Sequence, residues 1–442
     1  MLKFYKIAAV FLIIYFVSLI AEPRGDGRYT IYVHDDNNDT TLPKSFRSWY
    51  YKDFRTIIQN VQTKINVVGD GWRGAEYVVP VYSYYGRKWH RFDVDDILEQ
   101  FSDNPKLFNY TIFKKFKHPF VQIARYYPYD TMRLEKLEKR LSFKKFFRSK
   151  IIGQTAMGRP LKMFTITDFS VPNNKKKAIW IHARTHPSES GSSFVLEGLM
   201  EYILKKKLND EMKINLKNLV FYIVPMLNLD GVAEGNARVT PFSSKDLERQ
   251  WFFHNQINKR KISDSAAIEV RVLNNTINRL INEGNHFILA LNLHSTNGTE
   301  NTYPFIFTNF SRPLPEHGAA GDSMFVYHLR YANLINHYLR CGHLNVITSY
   351  KPSKPMSQKP YPESWWWVNF KSKVIAFTLE STYRNPGCFS KLVSYKDQLQ
   401  LGEALAKAIE KYYELYYFHQ YEKELHPYDL EYQMQYFIKP DN

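Results

Sequence analysis

A three-layer α/β domain with a mixed, largely buried sheet, preceded by a small all-β unit, is the fold this sequence predicts. Two observations carry the prediction. From about residue 151, short apolar runs alternate with segments of helical period, the pattern of strands covered by helices on both faces. Between residues 22 and about 125, β-rich runs alternate instead with turn residues. A chain of 442 residues has room for both units.

The elements follow in order. Lys3 and Lys6 precede an almost wholly apolar stretch over residues 7–20. Residues 1–21 therefore read as a signal peptide, with an uncleaved membrane anchor as the alternative, because Leu19 is large for a cleavage site. Secretion or export to a periplasm is the expectation. Residues 29–33 and 77–82 are strand-like runs of the β unit, and residues 120–127 read as a further strand. A charged helix is expected over about 130–147, with Leu134, Leu137 and Leu141 on one stripe. The α/β domain, residues 126–420, then alternates. Strands are expected at 163–167, 178–182, 219–224, 287–293 and 374–379. Helices are expected at 190–206, 265–282 and 401–418. Residues 421–442 form a tail.

Composition narrows the function classes. Hydrophobic content of 44% suits a substantial core, and aromatic content of 16% is high. The formal charge of +17 is spread in runs such as Lys175-Lys176-Lys177 that read as solvated faces. No nucleic-acid motif accompanies it, so no nucleic-acid partner is expected. The two cysteines, Cys341 and Cys388, are too few for a disulfide scaffold. Five Asn-x-Ser/Thr sites occur, at Asn38, Asn109, Asn274, Asn297 and Asn309.

Three distant segments read together as a metal site. His186-Pro187-Ser188-Glu189 sits between an apolar strand and a helix. A His and a Glu three residues apart can grip one ion from a turn. His294, at the end of an apolar strand, supplies a third ligand. Three protein ligands leave one position open, as catalytic zinc sites do. Glu380 ends another apolar strand, where a carboxylate is costly to bury without a task. Proton transfer as general base and acid is such a task. Between these segments lie Asn228-Leu229-Asp230-Gly231, then Arg238, then Asp246-Leu247-Glu248-Arg249. Asn-Leu-Asp-Gly alone reads as a turn. One Arg beside a zinc site can stabilise a carbonyl oxyanion, and another can grip a carboxylate bidentately.

With those residues in view, the chain resembles the zinc metallocarboxypeptidases, in particular the cytosolic-carboxypeptidase-like branch and its bacterial relatives. The matching residues run from Tyr126-Tyr127-Pro128-Tyr129 through Gly158-Arg159-Pro160-Leu161, Ala183-Arg184-Thr185-His186-Pro187-Ser188-Glu189 and Asn228-Leu229-Asp230-Gly231-Val232 to Phe377-Thr378-Leu379-Glu380-Ser381-Thr382. The resemblance covers roughly residues 120–415. It implies a β-sandwich-like domain before the catalytic one, one zinc held by His186, Glu189 and His294, and Glu380 as general base. It further implies Arg238 as carbonyl polariser and Arg249 as binder of a substrate C-terminal carboxylate, with Tyr361 near the place of a substrate-capping Tyr. A peptide or protein C-terminal tail is the implied partner.

The chain departs from the family pattern at Ser188, where Gly is usual, and at Glu248, where Asn is usual. An anion beside Arg249 would oppose a substrate carboxylate and favour a terminal unit bearing an amine. Two other functions compete. A zinc amidase acting on N-acyl amino acids could use the same ligands, and a catalytically impaired relative could bind peptides or glycans.

Overall fold

The computed structural model describes residues 28–33, 36–37, 49–69, 78–99, 108–205, 215–251, 260–297, 302–307, 318–339, 344–347, 359–384 and 392–414. The signal or anchor segment, the 421–442 tail, Cys341, Cys388, Asn38 and Asn309 lie outside these residues.

The N-terminal unit is all β, as its turn-punctuated sequence requires. Its strands are β1 (Arg28–Tyr32), β2 (Tyr51–Phe54), β3 (Gln62–Gly69), β4 (Val81–Tyr84), β5 (Lys88–Arg91), β6 (Ile97–Glu99), β7 (Phe108–Lys115) and β8 (Val121–Ala124). They form two four-stranded sheets, β1-β3-β7-β6 and β2-β8-β4-β5. Alternate residues of both sheets, among them Ile31, Ile65, Val67, Ile112, Val121 and Ile123, share one core. That is the packing of a sandwich.

The second unit is built on one mixed sheet. Its elements are α1 (Thr131–Leu141), β9 (Phe147–Gln154), β10 (Pro160–Ile166), β11 (Lys177–Ala183), α2 (Ser190–Leu204), β12 (Leu219–Val224), α3 (Leu229–Glu234) and α4 (Ile268–Asn282). They continue with β13 (His286–Thr296), β14 (Phe305–Phe307), α5 (Gly318–Tyr338), β15 (Asn345–Ile347), α6 (Pro362–Phe370), β16 (Ile375–Thr382) and α7 (Tyr395–Tyr413). The strand order is β15-β14-β16-β13-β11-β12-β10-β9. The four central strands, β12, β11, β13 and β16, are mutually parallel; β10 runs antiparallel to β12 and to β9, and β14 runs antiparallel to β16 but parallel to β15.

Period-two alternation divides the apolar residues between two cores. Ile179, Ile181, Leu289, Leu291, Leu293, Phe377 and Leu379 pack with α2 and α7 on one face. Ala178, Trp180, Ala290 and Ala376 pack with Leu273, Trp365 and Trp366 on the other. The helix expected over 130–147 stops at Leu141, because residues from Phe147 onward pair as an edge strand with β10. The strand expected at 77–82 lies further on, at Val81–Tyr84. Elements α3, β9, β14, α5, β15 and α6 add to those the sequence suggested.

Candidate metal and catalytic site

The parity that builds the cores also builds the site. His182, Asn292 and Thr378 lie in one row across β11, β13 and β16, and His294 pairs with Glu380 in the next row. These residues share the parity of Trp180, Ala290 and Ala376, so they emerge on the same sheet face. They do so at the C-terminal ends of parallel strands, where open α/β sheets place their sites.

The His186–Glu189 turn follows β11 directly. Leu227 and Asn228 donate backbone N–H bonds to the carbonyls of Ala183 and Arg184, fixing the exit of the strand. Arg184 is buried with φ of 60°, the left-handed region that a bulky residue enters only when surroundings demand it. Its guanidinium donates to the carbonyls of Pro187 and Tyr129, each at 2.8 Å, and to Ser193 Oγ at 3.0 Å. A buried cation thus clasps the turn from beneath. Asn228 caps α3 through Gly231 N, and Asp230 accepts from Thr155, Met157 N and Arg159. The Asn-Leu-Asp-Gly motif is therefore a structural joint that ties this loop to the β9–β10 turn.

His186, Glu189 and His294 converge, with one ligand atom from each lying within 4.8 Å of the others. Their mutual contacts are close. His186 Nδ1 is 2.8 Å from Glu189 Oε1, His294 Nδ1 is 2.8 Å from Glu189 Oε2, and the two Nδ1 atoms are 3.1 Å apart. Ser295 N also donates to Glu189 Oε2, at 3.0 Å. The outward nitrogen of each ring faces a carboxylate: His186 Nε2 lies 3.2 Å from Asp246 Oδ1, and His294 Nε2 lies 3.2 Å from Glu248 Oε2. An Nε2–H held by a carboxylate leaves the Nδ1 lone pair to point inward, which fixes each ring as a ligand. Burial opposes charge on Glu189, yet His186 and His294 hold its carboxyl well below the usual range.

Glu380 stands beside this cluster. Its Oε2 is closed off from solvent and has no hydrogen-bond partner among the described residues. Burial, followed by the charge of Glu189, pushes its carboxyl up to about 8.

Asp246 joins the remaining parts. It accepts from Arg238 Nε at 3.0 Å and Nη2 at 2.9 Å, and it pairs with Arg249. Arg249 also interacts with the side chain of Tyr361, the residue at the N-cap position of α6. So one aspartate ties a metal-facing imidazole to two cleft arginines. Sequence reasoning gave Asp246 no role. Its signal was an acid two residues before Glu248 in a turn between two candidate arginines.

Glu248 corrects an expectation. The sequence reading set it beside Arg249 as a charge facing the substrate. It is instead buried, with its carboxylate turned inward. Asn292 Nδ2 donates to both of its oxygens at 3.0 Å and to Glu363 Oε1 at 3.2 Å. Thr378 Oγ1 also donates to Glu363 Oε1, at 2.7 Å. Burial and then the charge of Glu248 push the Glu363 carboxyl up to about 7. His182 lies in the same buried group, accepts from Trp180 Nε1 at 3.2 Å, and is depressed by burial to about 4. The polar residues Asn292 and Glu363, each within an apolar run, were the missed signal of this layer. Asn274, one of the Asn-x-Ser/Thr sites, is buried and bonds the Arg260 carbonyl, so it is no glycan acceptor in the folded chain.

The donor set fits zinc. Two imidazole nitrogens and a carboxylate at these separations match a tetrahedral ion with bonds near ~2.0 Å, whose ligand atoms lie about 3.3 Å apart. Two inward Nδ1 atoms at 3.1 Å beside a single carboxylate are a natural cation receptor.

A mixed eight-stranded sheet with a His–Glu–His receptor beside its strand ends, faced by a carboxylate with one solvent-closed oxygen, defines a metallohydrolase architecture. The chain belongs to the zinc carboxypeptidase family, whose model matches residues 134–435. Cytosolic carboxypeptidase 6 of Caenorhabditis elegans is 27% identical over 316 residues, covering 68% of this chain and 64% of the relative. Cytosolic carboxypeptidase 4 of Homo sapiens is 34% identical over 142 residues, covering 29% of this chain and only 12% of the relative. The chain therefore spans a small part of some of its curated relatives. A metallo-carboxypeptidase from Pseudomonas aeruginosa, solved with (2-guanidinoethylmercapto)succinic acid, superposes with a TM-score of 0.69 at 17% identity, covering 89% of this chain and 96% of that one. One from Burkholderia cenocepacia gives 0.66 at 19% identity, covering 88% and 94%. These structures share the fold.

Proposed function

We propose that the chain hydrolyses a peptide or isopeptide bond near the C-terminus of a peptide or protein, using one zinc ion. The observation that carries this reading is Glu380, a register neighbour of His294 with a buried carboxylate oxygen that has no partner among the described residues. A group so placed is idle in a merely structural site.

His186, Glu189 and His294 would hold the ion, and Asp246 and Glu248 keep the two imidazoles in their ligand orientation. When bound, zinc supplies Lewis acidity and a nucleophile at neutral pH by lowering the pKa of water to ~7. Glu380 takes a proton from water and returns it to the leaving amine. Arg238, oriented by Asp246, stabilises negative charge growing on the scissile carbonyl oxygen. Arg249 with Tyr361 grips the terminal carboxylate of the substrate. With Glu248 turned away, the carboxylate left on this turn is that of Asp246, which is already paired with Arg238 and Arg249.

The test is a peptide library read by mass spectrometry, run with metal analysis on the same sample. The expected result is C-terminal trimming by the parent and its loss in Glu380→Gln with zinc retained, by at least ~10²-fold. His294→Ala should lose zinc. Stoichiometric zinc without turnover on any peptide or acyl amino acid sinks the enzymatic reading, and cleavage of acyl amino acids alone favours an amidase.

Export is a further proposal, resting on Lys3, Lys6 and the apolar run over residues 7–20. No helix among the described residues is long and apolar enough to cross a membrane. Protein from the native host should begin near Glu22. Met1 retained in a soluble cytoplasmic fraction contradicts export, and Met1 in a membrane fraction supports an anchor.

A further inference from the structure

The N-terminal β unit reaches into the catalytic unit at one place that bears directly on the site. Asp36 is fully buried, at 0% exposure. Its Oδ1 accepts from Ala237 N at 2.5 Å, and its Oδ2 accepts from Arg238 N at 2.6 Å and Val239 N at 3.2 Å. Three successive backbone amides thus converge on one carboxylate, the arrangement by which a loop encloses an anion. Asn37 extends the contact. Its Nδ2 donates to the Thr240 carbonyl and to Ser244 Oγ, each at 3.1 Å, and its Oδ1 accepts from Asn236 Nδ2 at 3.4 Å.

Two further facts give the contact weight. Asp36 and Asn37 have φ of 50° and 69°, both left-handed, so the turn adopts an uncommon conformation to present its side chains. The loop that receives them, residues 235–246, contains no helix or strand of its own. Its middle amides therefore take their partner from the other unit. Arg238 is held at both ends: its backbone N–H by Asp36, and its guanidinium by Asp246.

We propose that Asp36 is a positioning residue for Arg238, so that the β unit supplies part of the active-site geometry. The proposal rests on the reading of Arg238 as the group that stabilises the carbonyl oxygen. A guanidinium displaced by about 1 Å can cost on the order of 10²-fold in rate, because its benefit depends on meeting the developing charge. Charge-assisted bonds to three amides are a strong way to prevent that displacement.

The experiment compares Asp36→Ala, Arg238→Ala and the double variant in the full-length zinc-loaded chain, with Asn37→Ala as a neighbour that leaves the three amide bonds intact. Backbone amide exchange at residues 237–239 is read beside kcat and KM. Asp36→Ala should keep zinc, keep protection in the β1, β3 and β7 core, and release the amides of residues 237–239. Its kcat should fall on the order of 10- to 100-fold with KM little changed. The double variant should be no slower than Arg238→Ala, and Asn37→Ala should stay close to the parent. Unchanged exchange at 237–239, or a loss that simply multiplies with that of Arg238→Ala, overturns the proposal. Loss in Arg238→Ala without loss in Asp36→Ala overturns it while leaving the function of Arg238 standing. Full activity of Arg238→Ala overturns the reading of that arginine and this proposal with it. If Asp36→Ala does not fold, Asp36→Asn, which retains one accepting oxygen, carries the same measurements.

Discussion

At the scale of single residues, His294 and Glu380 could be picked out because each follows an apolar strand run, and His186 and Glu189 because they stand three residues apart in the turn between an apolar strand and a helix. What could not be read was direction. Glu248 follows Leu247 and precedes Arg249 in sequence, and nothing local says whether its carboxylate turns to the cleft or to the interior. The decision is tertiary: Asn292, in the middle of β13, offers its amide to both Glu248 oxygens. Placed there, Glu248 acts on His294 and not on the substrate. Glu248→Ala should weaken zinc affinity by about 10- to 100-fold, as loss of such partners does, measured by chelator competition. The ranking of peptides ending in Lys, Leu and Glu should not change. A switch in that ranking with undiminished zinc affinity would restore Glu248 to the substrate pocket.

At the scale of elements, the helix–strand alternation was legible, and most element ends fall within a few residues of where composition put them. Close approaches between helices were not legible, since a glycine in a helical run looks like a weak point. Gly198 of α2 and Gly402 of α7 show the reason for theirs. A Cβ on Gly402 would lie 1.9 Å from the Val195 carbonyl oxygen, and one on Gly198 would lie 2.1 Å from that of Leu399. Backbone meets backbone here, and α2 begins at the metal-facing Glu189. Gly402→Ala should therefore cost about 1–3 kcal/mol or more and depress zinc affinity together with Tm. A Tm within a degree of the parent would show that the helices can part freely.

The α5–β16 contact gives a pH effect. His328 is buried with its Nε2 3.0 Å from the Ala376 carbonyl, and burial depresses its imidazole from 6.5 to about 4. The folded state refuses a proton that the unfolded state accepts. The resulting stability is present above about 6.5 and is lost as pH falls through about 4, a span worth about 3 kcal/mol at 1.36 kcal/mol per unit. His182 is depressed in the same direction, so the parent shows the sum of both. Comparing Tm at pH 7.5 and pH 5, His328→Leu should lose less on acidification than the parent does. An equal loss in both would remove His328 from the acid response.

At the scale of the whole molecule, an all-β unit before a three-layer domain followed from the change of pattern between residues 125 and 151, and its sandwich form from the family resemblance. The joining contacts did not follow, because they depend on single polar side chains. Arg125 Nη2 donates to Asn297 Oδ1 at 3.1 Å, Arg91 Nη2 donates to the Val393 carbonyl, and Asp36 holds residues 237–239. The cation receptor joins segments equally far apart in the chain, so the ion should bind the folded chain and not the unfolded one. Stripping zinc with a chelator should lower stability by roughly 3 kcal/mol for each hundredfold excess of free zinc over its dissociation constant, read as a fall in Tm that zinc restores. An identical Tm with and without chelator would mean that the three donors are already at rest without an ion.

The register between β13 and β16 has a consequence for how such a chain can diverge. His294 and Glu380 are opposite one another because eight consecutive pairs, from Leu289 with Ile375 to Thr296 with Thr382, are in step. Inserting or deleting one residue ahead of either would turn the following side chains to the opposite face. Insertions and deletions are thus barred from these two strands. The irregular loop over residues 235–246 has no such ladder, and it can change length wherever the residues gripped by Asp36 and Asp246 are kept. Descendants of this sequence should accordingly differ in reach and appetite through their loops while inheriting the same spacing between base and ligand.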